Sequence, residues 1–429
     1  MFSLPTTHSF FSRQRRRSQS KFDFLKSMGL TFYKDYTTET GNLEADYSEG
    51  SPKATFTRIG YSSTANATYV QSSGLVFKAT EPNVPRFTYG YYDSTGLHAV
   101  TRGIEIQSAN TNRIRSSDNL ATIWTSSATG MTATANSTDF TSIYGTNTST
   151  KLLAQSDDAS VSQYVTVSTS SKYTFSFFAR CNTGEIANVQ YSLTADSSGV
   201  TSALATVTTA WSRFSLLATT DTADTTMIAQ VGGVSSLATA NIVYMMGVQV
   251  ENSPYPHSYT FNTSAAATTS NSETLKYFNS GNRTAAQETI VIKFMPLGGS
   301  FANDGVQRSI VNTTNVDGII YKQTTGAVIR YAPESSTAFS GVTTILLNAS
   351  HTIACVAYGE SETKNATIYL DGVLETNSTT NYATPDYGVN TSIGSDTNSG
   401  TQLNGLIQKV AFFNRALSAA EVLTVSNLM

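Results

Sequence analysis

The sequence predicts an all-β protein: tandem β-sandwich (jelly-roll) domains that follow a small β-rich N-terminal module and a basic arm. Three observations carry this. Short runs rich in Thr, Val, Ile, Tyr and Phe, broken by Gly, Asn and Ser clusters, recur along most of the chain, which is the sandwich pattern. Several runs alternate apolar and polar residues with a period of two, as in Val161–Val167, so each places one face on a core. Charged residues make up only 13% of the 429 positions, about half the usual ~25%. The 22 Tyr and 21 Phe nonetheless supply ample material for real cores.

Residues 1–27 form the arm. The segment from Met1 to Gln19 has no acidic residue and contains Arg13, Arg15, Arg16 and Arg17. It lacks the central apolar stretch of a secretory signal, and its Arg/Ser-rich look is also that of a mitochondrial transit peptide. The simpler reading is a flexible arm that docks on an acidic partner surface. Residues 28–115 make the β-rich module, with runs at Leu30–Tyr36, Ala54–Ile59, Ala67–Val70, Leu75–Lys78, Arg86–Tyr89 and Gly103–Gln107. Residues 116–262 read as one sandwich, from Trp124 through Tyr173–Arg180 and Ala210–Leu217 to Ile242–Glu251. Residues 263–284 are Ala/Thr/Ser/Asn-rich at their start and read as a linker. Residues 285–429 read as a second sandwich, beginning with the strand Glu288–Phe294.

The last part of the chain is the most explicit. Thr367–Leu370 and Val373–Glu375 flank Asp371-Gly372, a two-residue hairpin signal, because a type I′ turn needs positive φ at both central positions. Ser392-Ile393-Gly394 closes a strand, and Gly405–Phe413 alternates apolar and polar residues. Ser418 followed by Glu421 marks a helix N-cap with its capping box.

This order, ending in Asn414-Arg415-Ala416-Leu417-Ser418 and then Glu421-Val422, resembles the end of laminin-G/concanavalin A-like lectin domains. The resemblance covers about the last third of the chain. Within 116–262, the series Tyr173–Arg180, Trp211–Ser215 and Gly247–Glu251 resembles carbohydrate-binding jelly rolls. The first module carries Phe56-Thr57-Arg58, Ala67–Val70, Gly74-Leu75-Val76, Pro85-Arg86-Phe87, Gly103–Ile106 and Thr111-Asn112 in order. That order is similar to a module preceding such domains in tailed-bacteriophage virion structural proteins. Gln107 and Asn110 stand where that family commonly has an acid and an arginine.

Catalytic chemistry has little to work with. His8, His98, His257 and His351 are scattered, with no pair at ligand spacing, and there is no G-x-S-x-G. Cys181 and Cys355 form neither a disulfide framework nor a metal cluster, and read as buried small apolar residues. Glu44, Asp46 and Glu49 match E-x-D-x-x-E, the spacing at which glucanase carboxylates share a strand face. The motif lies far from the lectin-like domain, so it reads as a solvated loop. The expectation is no enzyme, no cofactor and no bound metal. Net charge is −3, which gives no nucleic-acid role, and no apolar run reaches the ~18 residues of a membrane span.

Sugar recognition needs an aromatic face for the C–H side of the ring and polar groups for the hydroxyls. Tyr382, Asp386, Tyr387, Asp396 and Asn398 offer these in two neighbouring loops, Asn381–Gly388 and Ser395–Ser399. The lectin resemblance also implies calcium there, with Asp396 the residue to hold it, although one Asp is far short of six to eight oxygens. The phage resemblance implies a protein on the virion surface, a homotrimer, bound to other virion proteins through Arg13, Arg15, Arg16 and Arg17. Its expected partner outside the particle is host cell-surface polysaccharide, met by multivalent adhesion. The competing reading is a head decoration, collar or baseplate component with no glycan ligand.

Overall fold

The computed structural model describes residues 21–38, 43–58, 66–78, 83–126, 130–156, 158–183, 185–232, 242–263, 266–284, 287–297, 307–313, 319–322, 328–334, 337–358, 365–378, 385–396 and 401–429. Two β-sandwiches dominate them. In the first, one five-stranded sheet runs in the order Met131–Thr134, Thr150–Ala154, Ile242–Glu251, Lys172–Cys181, Ser212–Thr219. The facing sheet runs Gly199–Val207, Ala187–Ala195, Thr226–Gly232, Ser160–Thr166, Thr125–Ser126. Alternation decides which side chains enter the core. Tyr173, Phe175, Phe177, Ala179 and Cys181 point inward, and Thr174, Ser176, Phe178 and Arg180 take the other face. Phe177 meets Tyr191 of the opposite sheet edge-on, with ring centroids 5.0 Å apart. Trp124 and Cys181 are buried in this core.

The C-terminal sandwich is larger because it recruits strands from the N-terminal part of the chain. Its nine-stranded sheet follows the path Tyr47–Ser48, Leu30–Asp35, Gly405–Phe413, Glu288–Pro296, His351–Tyr358, Asn365–Leu370, Val373–Ser378. The hairpin of Arg86–Asp93 and Gly96–Ile106 joins beside Gly405–Phe413. The opposing seven-stranded sheet runs Thr337–Ser340, Ile329–Glu334, Ile319–Lys322, Arg308–Thr313, Asn390–Ile393, Glu273–Phe278, Ala54–Arg58. A third layer covers the outer face of the nine-stranded sheet. There the helix Ala419–Leu428 and the short helix over residues 21–27 pack Val422, Val425 and Leu25 onto Val291, Ala354, Val356 and Ala411. Burial on both faces explains why Glu288–Pro296 and His351–Tyr358 read as nearly continuous apolar runs rather than as alternating ones.

Several local signals appear as the sequence implies. Asp371 and Gly372 have φ of 51° and 80°, as the type I′ turn requires. Ser418 caps the C-terminal helix, with both halves of the capping box formed. Cys181 and Cys355 are free and buried, and burial pushes the Cys355 thiol well above its ordinary range.

Two expectations about organisation need correction. The segment 263–284 is not a linker among its described residues. Thr268–Ser270 pairs with Asn110–Asn112, and Glu273–Phe278 lies between Ala54–Arg58 and Asn390–Ile393 inside the second sandwich. Residues 28–115 are not a separate module either. Their strands enter both sheets of the C-terminal sandwich, while Val70 and Val76 pack with Phe178 and Met246 on the outside of the first.

The join is electrostatic as well as apolar. Glu273 is fully buried and accepts from Arg58 Nη2 at 2.9 Å, Arg86 Nε at 2.9 Å and Arg86 Nη2 at 2.6 Å. Arg86 also meets Glu105 at 3.0 Å and donates to the Thr68 carbonyl at 2.8 Å. The motifs Phe56-Thr57-Arg58, Pro85-Arg86-Phe87 and Gly103–Ile106 therefore converge on one buried ion network.

Two measurements check these assignments. Ser418→Ala removes the cap of the C-terminal helix and is expected to cost about 1 kcal/mol, read as a lower urea midpoint with unchanged slope. Arg86→Met leaves the buried Glu105 without its cation and Glu273 with Arg58 alone, and is expected to cost roughly 3–5 kcal/mol. A loss under 1 kcal/mol would show that the network does not hold the segments together.

Candidate functional site

The loops singled out in the sequence contribute little. Tyr382, Asn398, Arg13, Arg15, Arg16 and Arg17 lie outside the described residues. Asp386 is exposed, and its carboxylate accepts from the Gly388 N–H at 2.9 Å, a local turn bond. Tyr387 is only 5% exposed, and its ring lies against the Arg283 guanidinium at 3.8 Å. Arg283 is itself buried in a bidentate pair with Glu288. Tyr387 therefore packs the sandwich and presents no face to a sugar, a correction to the sequence reading. Asp396 is half-buried, and no group of three or more His, Cys, Asp or Glu side chains among the described residues could hold a metal. In the E-x-D-x-x-E stretch, Asp46 meets Lys34 at 3.3 Å and the Asp35 N–H at 2.7 Å. Glu44 and Glu49 are exposed.

The structure places a different site between the two sandwiches. The Arg86–Ile106 hairpin reaches from the C-terminal sandwich to the outer face of the first, and its turn lies over Trp211 and Ser212. A cleft of about 540 Å³ opens there, within the size range of ligand pockets. Its aromatic lining is the half-buried Tyr91 and Tyr92 of the hairpin, backed by the core side chains Tyr191 and Phe214 of the first sandwich. Its polar lining includes Asp93, Ser94, Thr206, Arg213, Ser215 and Asn348. An inner recess of about 90 Å³ shares Tyr91, Tyr92, Arg213 and Pro256 with it.

Each wall is held by identifiable contacts. The Asp93 carboxylate takes the Thr95 N–H at 2.8 Å and meets His98 Nε2 at 2.9 Å, which closes the hairpin turn. These hydrogen bonds outweigh partial burial and hold Asp93 below the usual carboxylate range. His98 stacks on one face of Tyr91, with centroids 4.9 Å apart and an 11° interplanar angle, so the plane of that half-buried ring is fixed. Tyr92 donates to the Gly74 carbonyl at 2.8 Å and meets Phe178 edge-on at 5.4 Å. Arg213 takes the outward position of Trp211-Ser212-Arg213-Phe214-Ser215, directly across from Phe178. Its guanidinium lies 5.4 Å from the Phe178 ring and donates to Ser176 Oγ at 3.0 Å.

Beneath the recess, Tyr259 and Phe178 cover a bulge in Ile242–Glu251. Gly247 has φ +59° there, and a Cβ would meet Phe178 at 2.7 Å, so only glycine fits. The freed Gly247 N–H and the Tyr259 hydroxyl donate to Asp118 Oδ1 at 2.8 and 3.1 Å. Burial dominates these bonds and pushes the Asp118 carboxyl up to about 6.

One signal for this site stands in the sequence, the paired aromatics of Gly90-Tyr91-Tyr92-Asp93. None stands there for the pairing of that stretch with Arg213, more than a hundred residues away.

Residues 301–423 match the concanavalin A-like lectin/glucanases superfamily. No curated protein matches the chain. Among solved structures, a Ruminococcus gnavus sialidase carbohydrate-binding module of family 40, bound to α2,3-sialyllactose, is 18% identical. The match covers 33% of this chain and 83% of that one at a TM-score of 0.27. Domain 4 of the Geobacillus stearothermophilus arabinanase AbnA, in complex with arabinotriose, is 12% identical, over 36% and 73% of the two chains, at 0.28. The enzymatically active domain of tailspike protein 4 of bacteriophage CBA120 is 15% identical, over 32% and 21%, at 0.26.

Asp118 supplies a pH test. An unfolded Asp titrates near ~3.9, below its folded value of about 6, so the folded state binds the extra proton between these values. The native chain should gain stability relative to Asp118→Asn as pH falls from 7 to 4. Parallel thermal unfolding of the two proteins measures this, and a constant difference across the range would contradict it. The C-terminal sandwich thus carries a laminin-G/concanavalin A-like lectin fold, set against a second all-β sandwich with an aromatic cleft between them.

Proposed function

We propose that the chain is a non-enzymatic glycan-binding protein of a tailed-bacteriophage virion surface. In this reading the N-terminal arm attaches it to the particle and the two sandwiches meet host polysaccharide. The observation that carries the glycan reading is the cleft: Tyr91, held in plane by His98, beside Asp93, Ser94, Thr206 and Ser215. An aromatic face binds the C–H side of a sugar ring while such groups take its hydroxyls. The match of residues 301–423 to a lectin superfamily supports it. The virion reading rests on the ordered motifs from Phe56 to Asn112. In a homotrimer, and with many copies on a particle, weak individual sites gain avidity by about 10²–10⁴.

The full chain should bind at least one saccharide class on a glycan array, with weak affinity for the isolated protein. Removing the Tyr91 ring costs roughly 0.5–1.5 kcal/mol, so Tyr91→Ala should weaken binding about two- to tenfold by titration calorimetry. Binding that ignores Tyr91 would move the site elsewhere. Immunogold imaging of phage particles with an antibody to the full chain tests the virion assignment. Absence of label on intact particles would remove it.

A further inference from the structure

Resting on the glycan reading above, we infer that the cleft is built for an acidic saccharide, whose carboxylate is received by Arg213 while its ring lies on Tyr91. Arg213 is half-buried and lines both the outer cleft and the inner recess. A guanidinium offers five N–H donors. Among the described residues one acceptor is met, Ser176 Oγ at 3.0 Å, and no carboxylate lies within ion-pair distance. The guanidinium Nε is buried without an acceptor.

The acids nearest in its field are already engaged. Glu251 is held by His257 Nδ1 at 2.5 Å and by Gln249, and Glu105 is held by Arg86 and Thr88. Tyr144 and Tyr259, the other groups acting on it, are buried hydroxyls whose burial raises their pKa far above neutrality. Among the described residues no carboxylate forms an ion pair with Arg213. The buried guanidinium groups of Arg58 and Arg86, by contrast, each carry a carboxylate. The Phe178 ring at 5.4 Å offers only a cation–π contact.

A cation retained in a partly desolvated wall, with unused donors in a fork geometry, matches a carboxylate. Among the described residues Asp93 is the carboxylate of the outer cleft lining and Glu105, already paired with Arg86, that of the inner recess; Asp93 Oδ1 is taken by Thr95 and His98. Asp93 suits a hydroxyl donor and disfavours a second acid beside it. The site therefore fits one acid group per bound unit with hydroxyls around it, as in a uronic or sialic acid, rather than a densely sulfated chain.

The test uses the full chain and paired probes: tetragalacturonate against its methyl ester, and 3′-sialyllactose against lactose, by titration calorimetry at low and at 0.5 M salt. At least one acidic probe should bind tenfold or more tighter than its neutral partner, with the gap shrinking in high salt. Arg213→Gln should abolish that gap while the thermal midpoint shows the protein still folded. Arg213→Lys should restore part of it, because it keeps the charge and loses the fork. Neutral sugars binding as tightly as acidic ones would overturn this inference and leave the glycan reading standing. No binding of any probe, with none on the array, would overturn both. An acidic preference that survives Arg213→Gln in a folded protein would place the carboxylate elsewhere and also overturn it.

Discussion

A single buried carboxylate, Glu273, ties the molecule together. It sits opposite Arg58 in one strand pair, and Arg86 sits opposite Glu105 in another. Glu273 then reaches across to Arg86 and joins the two pairs. Burial alone would push the Glu273 carboxyl up, but the Arg86 and Arg58 guanidinium groups outweigh it and hold it below the ordinary range. The charges are mutually compensating, so removing Glu273 or Arg86 leaves buried partners short of their counter-charge. The same argument makes the network a specifier of arrangement: an apolar substitute could fill the space without dictating which strands meet.

Around that network the chain forms one interlocked body rather than modules on a string. A second polar seam runs from Glu251 through His257 and Ser108 to Asn404, which donates to the Tyr255 hydroxyl at 2.6 Å. Arg308 donates to the same hydroxyl at 2.7 Å. Residues from the first sandwich, the N-terminal segment and the C-terminal sandwich therefore share hydrogen bonds within a few ångströms. The cleft inherits its rigidity from this arrangement, since one wall is a hairpin of the second sandwich and the other is the outer face of the first.

What was legible in the sequence was local. The Asp371-Gly372 turn, the Ser418–Glu421 cap and the alternation of Val161–Val167 each depend on neighbours a few residues apart, and each is present. The Ala/Thr/Ser/Asn composition near Thr263–Glu273 suggested a linker because composition reports exposure, not pairing. Thr268–Ser270 is polar yet forms a strand, and Glu273 is charged yet fully buried. Tyr387 looked like a sugar platform until Arg283 was seen to cover it. The cleft was invisible for the opposite reason: Tyr91 and Arg213 become neighbours only through strand pairings that no short window contains. The arginine and acid positions in the ordered motifs were visible as a pattern, and the structure supplies their physical meaning as a shared ion network.

The strand Gly405–Phe413 pairs with Leu30–Asp35, Glu288–Pro296 and Gly96–Ile106. It is the meeting point of three segments that all precede it in the chain. During translation, the N-terminal strand and hairpin must therefore wait, unpaired along these edges, while about three hundred further residues emerge. Such long-range pairing makes folding slow and leaves strand edges open to wrong partners. The first sandwich, whose two sheets close within residues 125–251, can form meanwhile and offer Val70 and Val76 a surface on which to settle. On this view the first sandwich is also the scaffold that shelters the early strands until the closing strand arrives.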